Sequence, residues 1–282
     1  MSKDAELKDL VKEKYGEIAG QSLSQNLSSC CGSGCCSDEA YNIMADDYNN
    51  LEGYNPDADL GLGCGLPTAF AKIKEGDTVI DLGSGAGNDC FVARAATGNK
   101  GKVIGIDFTE NMISKARENT EKLGYNNIEF RLGDIEQMPV SANVADVIVS
   151  NCVLNLVPNK SNVFKEIYRV LKPGAHFSIS DIVLEGTLPE KLKETAEMYA
   201  GCVAGAIQKN EYLHLIEETG FKNITVQKEK YILLPDDILA NYISQEDITL
   251  FKQSNTGIYS ITVYAEKPLE TSAPCCGTDC CN

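Results

Sequence analysis

The sequence predicts an α/β fold: a doubly wound parallel sheet preceded by a helical, cysteine-bearing segment and followed by an α+β extension. Three observations predict it. Between residues 76 and about 182, short β-branched runs alternate with helical stretches, the signature of successive βαβ units. A glycine-rich turn, DLGSGAG at 81 to 87, falls where the first of those strands meets the first of those helices. The chain has 282 residues, 43% of them hydrophobic, enough for one large α/β domain with appendages.

Taken in order, Leu7, Leu10, Val11, Tyr15 and Ile18 recur at helical spacing and predict an amphipathic first helix packed on the main body. Residues 21 to 37 are rich in Ser, Asn, Gly and Cys and read as a loop. A helical stretch is expected next, then the irregular GLGCGLP at 61 to 67. Five strands are predicted at 78 to 83, 102 to 108, 128 to 134, 145 to 151 and 175 to 181. Helices fit between them at about 88 to 97, 110 to 123 and 161 to 171, the last closed by Lys172, Pro173 and Gly174. Beyond Pro189 a helical region carries Cys202 in YAGCVAGA, and KNEYLHLIEETGF reads as a helix closed by Gly220. ITVQKEKYILL and GIYSITVYAEK are expected as two further strands with DDILANYI as a helix between them. The end, TSAPCCGTDCCN, has no periodicity and is expected to be a flexible tail. These readings divide the chain at 1–70, 71–185, 186–268 and 269–282.

Composition excludes several function classes. With 25 basic and 41 acidic residues the net charge is −16, unsuited to a protein that binds nucleic acid by neutralising phosphates. No stretch approaches the roughly 18 uninterrupted apolar residues that a membrane span needs, so no membrane partner is expected. The first twenty residues show neither the order of a secretory signal nor the acid-poor composition of a mitochondrial presequence, and the expected address is cytoplasmic. Twelve cysteines in 282 residues fall well below the roughly 8 to 10% of disulfide-built scaffolds. Such thiols suit chemistry or soft-ion binding better than stapling. Eight of them form two copies of one template, CCGSGCC at 30 to 36 and CCGTDCC at 275 to 281.

The turn at 81 to 87 has the spacing G-x-G-x-G, with Asp81 two residues before the first glycine. An anion there is unfavourable inside a pyrophosphate cradle, which wants G-x-G-x-x-G, but it suits an ammonium group. The reading is an S-adenosylmethionine site. Gly83, Ser84, Gly85 and Gly87 form the turn, and Asp107, followed by Phe108, ends the second strand where a carboxylate can accept both ribose hydroxyls. Asp134 and Ile135 after the third strand supply an acceptor for the adenine amine and an apolar wall, and Asn151 at the end of the fourth strand completes the set. These features together resemble the class I S-adenosylmethionine-dependent methyltransferases, which implies a Rossmann-like, seven-stranded sheet with an antiparallel last strand.

Cys152 follows the fourth strand in SNCVLNLVPNK, at the edge where the reactive methyl would lie. Cys64 sits in the glycine-rich loop before the sheet and Cys202 after the fifth strand. None of these has C-x-x-C spacing, the two histidines His176 and His214 stand outside any ligand pattern, and Cys90 reads as a thiol packed against the sheet. Widely separated thiolates fit a soft three-coordinate acceptor. The motifs GLGCGLP, DLGSGAGNDCF, SNCVLNLVPNK and YAGCVAGA, in that order, resemble the arsenite S-adenosylmethionine methyltransferases over residues 10 to 265. That resemblance implies catalytic thiols at Cys36, Cys64, Cys152 and Cys202, with either Cys35 or Cys36 able to align at the first position. It implies trivalent arsenic bound as substrate by Cys64, Cys152 and Cys202, a Cys36–Cys64 disulfide in redox turnover, small thiols or thioredoxin as reductant, and no obligatory metal. Two other readings remain open on residues alone: a methyltransferase for a small organic acceptor such as a quinone precursor, and a metalloid-sequestering protein.

Overall fold

The computed structural model describes residues 3–20, 46–188, 203, 205–233, 236–240, 243–254 and 256–269. Helix α1 (Lys3–Ala19) is followed by turns over residues 46–66 and by the short α2 (Pro67–Phe70). Then come β1 (Thr78–Leu82), α3 (Asn88–Thr97), β2 (Lys102–Asp107), α4 (Glu110–Leu123), β3 (Ile128–Leu132) and β4 (Ala145–Asn151). A single 3₁₀ turn (Leu154–Leu156) leads to α5 (Lys160–Val170), β5 (Leu171–Glu185), α6 (Lys209–Glu218), β6 (Lys222–Tyr231), α7 (Asp236–Ala240), α8 (Gln245–Gln253) and β7 (Gly257–Glu266).

The strands form one seven-stranded sheet in the order β3-β2-β1-β4-β5-β7-β6. β1 to β5 are parallel to one another, while β7 inserts antiparallel between β5 and β6. This is the Rossmann-like methyltransferase sheet, antiparallel last strand included. Strand order reverses between β1 and β4, and in open α/β sheets that reversal leaves a crevice beyond the carboxyl ends of the strands.

Alternation along the central strands builds two cores. Ile80, Leu82, Ile104 and Ile148 face α5 and α6 through Phe164, Ile167, Tyr212 and Ile216. Val79, Val103, Val147 and Val149 face α3 and α4 through Phe91, Met112 and Ala116, with Tyr15 and Ile18 of α1 packed on the same side. Both faces are covered, which is why these strands read as unbroken apolar runs. Each fully buried large side chain contributes on the order of 1.5–3 kcal/mol. The last carbonyls of α1 are captured by α4: Asn111 Nδ2 donates to Gly16 O at 3.1 Å and Lys115 Nζ to Ala19 O at 3.0 Å.

The predicted helices between the strands agree with α3, α4 and α5 to within a residue. Lys172, Pro173 and Gly174, expected to close a helix, follow its end at Val170 and also open β5, and the β4–β5 pairing is irregular at that point. The helix expected before GLGCGLP is absent from 46 to 60, where only turns occur. Helix α8 was not predicted, although Ser244 Oγ caps it by accepting the Asp247 N–H at 3.1 Å, a legible S-x-x-D start. Leu7, assigned to the buried stripe of α1, is 40% exposed. The loop at 21 to 37, the helical region around Cys202 and the terminal CCGTDCC lie outside the described residues. Among the described residues no helix is long and apolar enough to cross a membrane.

Candidate active site

A cleft opens at the carboxyl ends of β1, β2 and β4. Its lining includes nine of the ten residues expected to hold the methyl donor: Asp81, Gly83, Ser84, Gly85, Asp107, Phe108, Asp134, Ile135 and Asn151. The tenth, Gly87, does not line it. A Cβ there would fall 3.0 Å or less from the rings of Phe91 and Phe130, so Gly87 lets α3 close on the sheet. Gly83 serves the turn directly: it has a φ of +68° and a Cβ would strike Val153 at 2.4 Å.

The cleft is electrostatically one-sided. Asp107 accepts the Gly85 N–H at 3.0 Å and the Thr109 N–H at 2.8 Å. Burial pushes its carboxyl above the usual range, against the pull of those backbone donors. Asp81 is fully enclosed and takes a hydrogen bond from Cys90 Sγ at 3.3 Å. Burial raises its carboxyl well above normal, and the neighbouring Asp89 and Asp107 charges raise it further. Asp89 is held up to about 6 by burial, opposed by hydrogen bonds from Tyr48, Asn151 and Thr68. A cation entering the cleft relieves this clustering of negative charge. Ser84 Oγ, buried with no hydrogen-bond partner among the described residues, offers a polar contact to whatever fills the space. An ammonium- and sulfonium-bearing nucleoside fits this donor and acceptor set.

Sequence reasoning missed Tyr48, Asp89 and Lys8 in this wall. Tyr48 donates its hydroxyl to Asp89 at 2.9 Å. Asp134, expected to face the adenine amine, is engaged by Lys8 of α1 at 2.6 Å, and Lys8 also pairs with Glu136. Helix α1 therefore reaches across the cleft, with Lys8 and Tyr15 in its lining.

Beside the cleft lies a third apolar cluster containing Cys64 and Cys152 with Ile182, Val203, Ile232, Leu239 and Ile258. Both thiols are buried. Cys152 belongs to both places, since it also lines the cleft. Its φ of +61° is left-handed, a conformation that costs a non-glycine residue about 1 kcal/mol or more. Its N–H is fixed on Ser180 O at 2.8 Å. Beneath the thiols the phenol of Tyr212 is pushed well up by burial and by the charge of Asp181, with Cys64 and Cys152 adding to the effect. Cys202 and Cys36 lie outside the described residues, although Val203, the neighbour of Cys202, packs in the thiol cluster.

A family model described as a methyltransferase domain matches residues 73–220, just over half of the chain. An arsenite methyltransferase of Halobacterium salinarum is 39% identical over 276 residues, which is 93% of this chain and 67% of the relative. The chain belongs to the arsenite methyltransferase family. The human arsenite methyltransferase is 31% identical over 90% of this chain and 70% of its own length. The crystal structure of an arsenic(III) S-adenosylmethionine methyltransferase from Chlamydomonas reinhardtii superposes with a TM-score of 0.62 at 30% identity, covering 83% of this chain and 75% of that one. This arsenite methyltransferase family member thus spans about two thirds to three quarters of the length of these relatives. Within the family fold, the match over residues 73–220 takes in the cleft-forming turn, Asp107, Asp134 and Cys152, while Cys64 and Tyr48 come from the segment before it.

Proposed function

We propose that this enzyme transfers the methyl group of S-adenosylmethionine to trivalent arsenic held by cysteine thiolates, giving methylated arsenicals. The observation that carries the reading is the position of Cys152, at once in the lining of the donor cleft and in the cluster with Cys64.

Arsenite enters as a hydroxide or a thiol complex and exchanges ligands for Cys152 and Cys202, with Cys64 or Cys36 as the third. Each exchange forms an As–S bond and releases the displaced ligand with the thiol proton, as water or free thiol. The methyl donor, when bound, supplies an electrophilic methyl on a positively charged sulfur. Asp81 would hold its ammonium end and Asp107 its ribose, beside the cleft wall that carries Cys152. The arsenic lone pair forms the new As–C bond as the S–CH₃ bond breaks, leaving S-adenosylhomocysteine. No general base is required, and the protein contributes proximity and alignment. Arsenic becomes formally pentavalent, and two electrons return it to the trivalent state as a Cys36–Cys64 disulfide forms. Small thiols or thioredoxin then reduce that disulfide, which suits a reducing, cytoplasmic setting.

Incubation with arsenite, methyl-labelled S-adenosylmethionine and thiol, followed by arsenic speciation, tests the reading. Labelled methylarsenicals are expected. Tight arsenic binding without methyl transfer would instead make the protein a sequestering module. Activity on a quinone precursor that survives thiol alkylation would make the cysteines incidental.

A further inference from the structure

Cys64 and Cys152 reach the same cluster from positions 88 residues apart in sequence, and one side chain bridges their backbones. Asn151 ends β4 and is bonded directly to Cys152. Its side-chain Oδ1 accepts the Cys64 N–H at 3.0 Å, and its Nδ2 donates to Gly65 O at 2.9 Å. The amide thus grips the Cys64–Gly65 segment from both sides. The loop can come this close because no side chain intervenes: a Cβ at Gly63 would sit 2.7 Å from Asn151 Nδ2. The amide is itself steadied, with Nδ2 lying 2.6 Å from Tyr48 Oη and 3.2 Å from Asp89 Oδ2. Tyr48 donates to Asp89 in turn, closing a ring of Tyr48, Asp89 and Asn151.

We propose that Asn151 is a positioning residue for the arsenic platform: it fixes the Cys64 loop relative to Cys152, with Tyr48 and Asp89 holding its amide in place. This rests on the reading that these thiols bind arsenic, and it assigns Asn151 to the acceptor side of the site as well as to the donor cleft. A bidentate side-chain grip on two backbone groups is the means by which an amide registers one loop against another. The consequence is selective. Inorganic arsenite, with three exchangeable positions, draws on Cys64, whereas a monomethyl arsenical, held by Cys152 and Cys202, does not depend on the Cys64 loop.

The test compares full-length reduced wild type with Asn151→Ala, Tyr48→Phe and Cys152→Ser. Three quantities are read: affinity for arsenite alone, by arsenic retained after desalting; affinity for S-adenosylhomocysteine, by calorimetry; and the rates of the first and second methylations. For Asn151→Ala, loss of two hydrogen bonds is expected to weaken arsenite binding and raise KM for arsenite by about tenfold. Because Asn151 also lines the donor cleft, any loss of S-adenosylhomocysteine affinity acts on both methylations alike, and the first methylation is expected to fall further than the second by about threefold or more. Tyr48→Phe, which keeps the ring and removes only the hydroxyl, is expected to act in the same direction more weakly, and it carries the test if Asn151→Ala does not fold. Wild-type arsenite affinity in the folded variants, or parallel losses in both methylations and in S-adenosylhomocysteine binding, overturns the proposal. Cys152→Ser separates the two levels. If it binds arsenite normally, the thiol platform itself is wrong; if it does not while Asn151→Ala does, only the positioning role fails.

Discussion

Asp107 accepts the backbone N–H of Gly85 at 3.0 Å, so the carboxylate ending β2 is tied to the glycine turn that follows β1. The two features that sequence reading assigned to one ligand are joined directly by this hydrogen bond. Replacing Asp107 with Ala removes the proposed ribose acceptor and frees the turn together. A charge-assisted hydrogen bond contributes about 1.5–3 kcal/mol, so the Kd for S-adenosylhomocysteine is expected to rise by about tenfold or more. Asp107→Asn, which keeps one acceptor oxygen, is expected to fall between. Calorimetric titration decides it: an unchanged Kd in a folded Asp107→Ala protein removes this residue from the ribose site.

Among the thiols, Cys152→Ser and Cys202→Ser are expected to abolish methylation of inorganic and monomethyl arsenic alike, because both substrates need two thiolate ligands. S-adenosylhomocysteine affinity is expected to survive, since the carboxylates and the glycine turn are untouched. Cys36→Ser and Cys64→Ser are expected to damage the first methylation more than the second, and Cys35→Ser to be milder than Cys36→Ser. Arsenic speciation over time reads all of these. Normal turnover of the monomethyl substrate by either of the first two variants contradicts a two-thiol platform.

What the sequence made legible follows how local each signal is. The strand at 145 to 151 and the helices at 88 to 97 and 110 to 123 are recognisable because their apolar pattern is written into neighbouring residues. Asp81 and Asp107 are recognisable because they sit at fixed offsets from strand ends. Asp89 carries only the signal of an acid in the first turn of a helix, which reads as a dipole complement. Its partners, Tyr48 and Asn151, lie 41 and 62 residues away, and nothing local announces them. Lys8 is likewise one of several lysines on α1 until the fold carries it to Asp134, 126 residues on. Lys-Pro-Gly at 172 to 174 reads as a helix stop, and the helix does stop at Val170. The same residues also open β5, because pairing with β4 begins at Leu171.

Gly65 provides a direct test of how tightly the Cys64 loop lies on the sheet. A Cβ at this position would come within 2.5 Å of Ser180 Oγ and 2.6 Å of Ser180 Cβ, and the second atom cannot rotate away. Ser180 is itself fixed, its Oγ on Thr262 Oγ1 at 2.8 Å and its carbonyl accepting the Cys152 N–H. Gly65→Ala is therefore expected to displace the loop, at a cost of about 1–3 kcal/mol for overpacking, and to lower arsenite methylation while sparing S-adenosylhomocysteine binding. Ser180→Ala would not relieve the clash because its Cβ remains, whereas Ser180→Gly would. Restored turnover in the Gly65→Ala, Ser180→Gly double variant relative to Gly65→Ala confirms the contact, and strictly additive losses contradict it.

The buried carboxyl of Asp181 sets a pH dependence of stability with a definite sign. It lies wholly inside β5, near the Tyr212 hydroxyl at 3.4 Å, with its Oδ1 accepting the Ile182 N–H at 3.0 Å. Burial pushes it from 3.8 up to about 7, and the charge of the largely buried Lys160 offsets only part of that effect. Between these two values the folded protein keeps a proton that the unfolded chain has released. Folding then takes up a proton, so stability falls as pH rises through that window, by at most about 4 kcal/mol, and the loss is complete above about pH 7. Asp89, held at about 6, adds a slope of the same sign. Asp181→Asn retains an acceptor for Ile182 and turns an amide N–H toward the Tyr212 hydroxyl, which can accept it, but cannot ionise, so its Tm is expected to change less between pH 5 and 8 than that of the wild type. Lys160 loses its counter-charge in that variant, which lowers absolute stability in a way that the difference in slope does not register. Thermal unfolding of both proteins across the window gives the answer, and parallel Tm profiles would show that Asp181 does not titrate there.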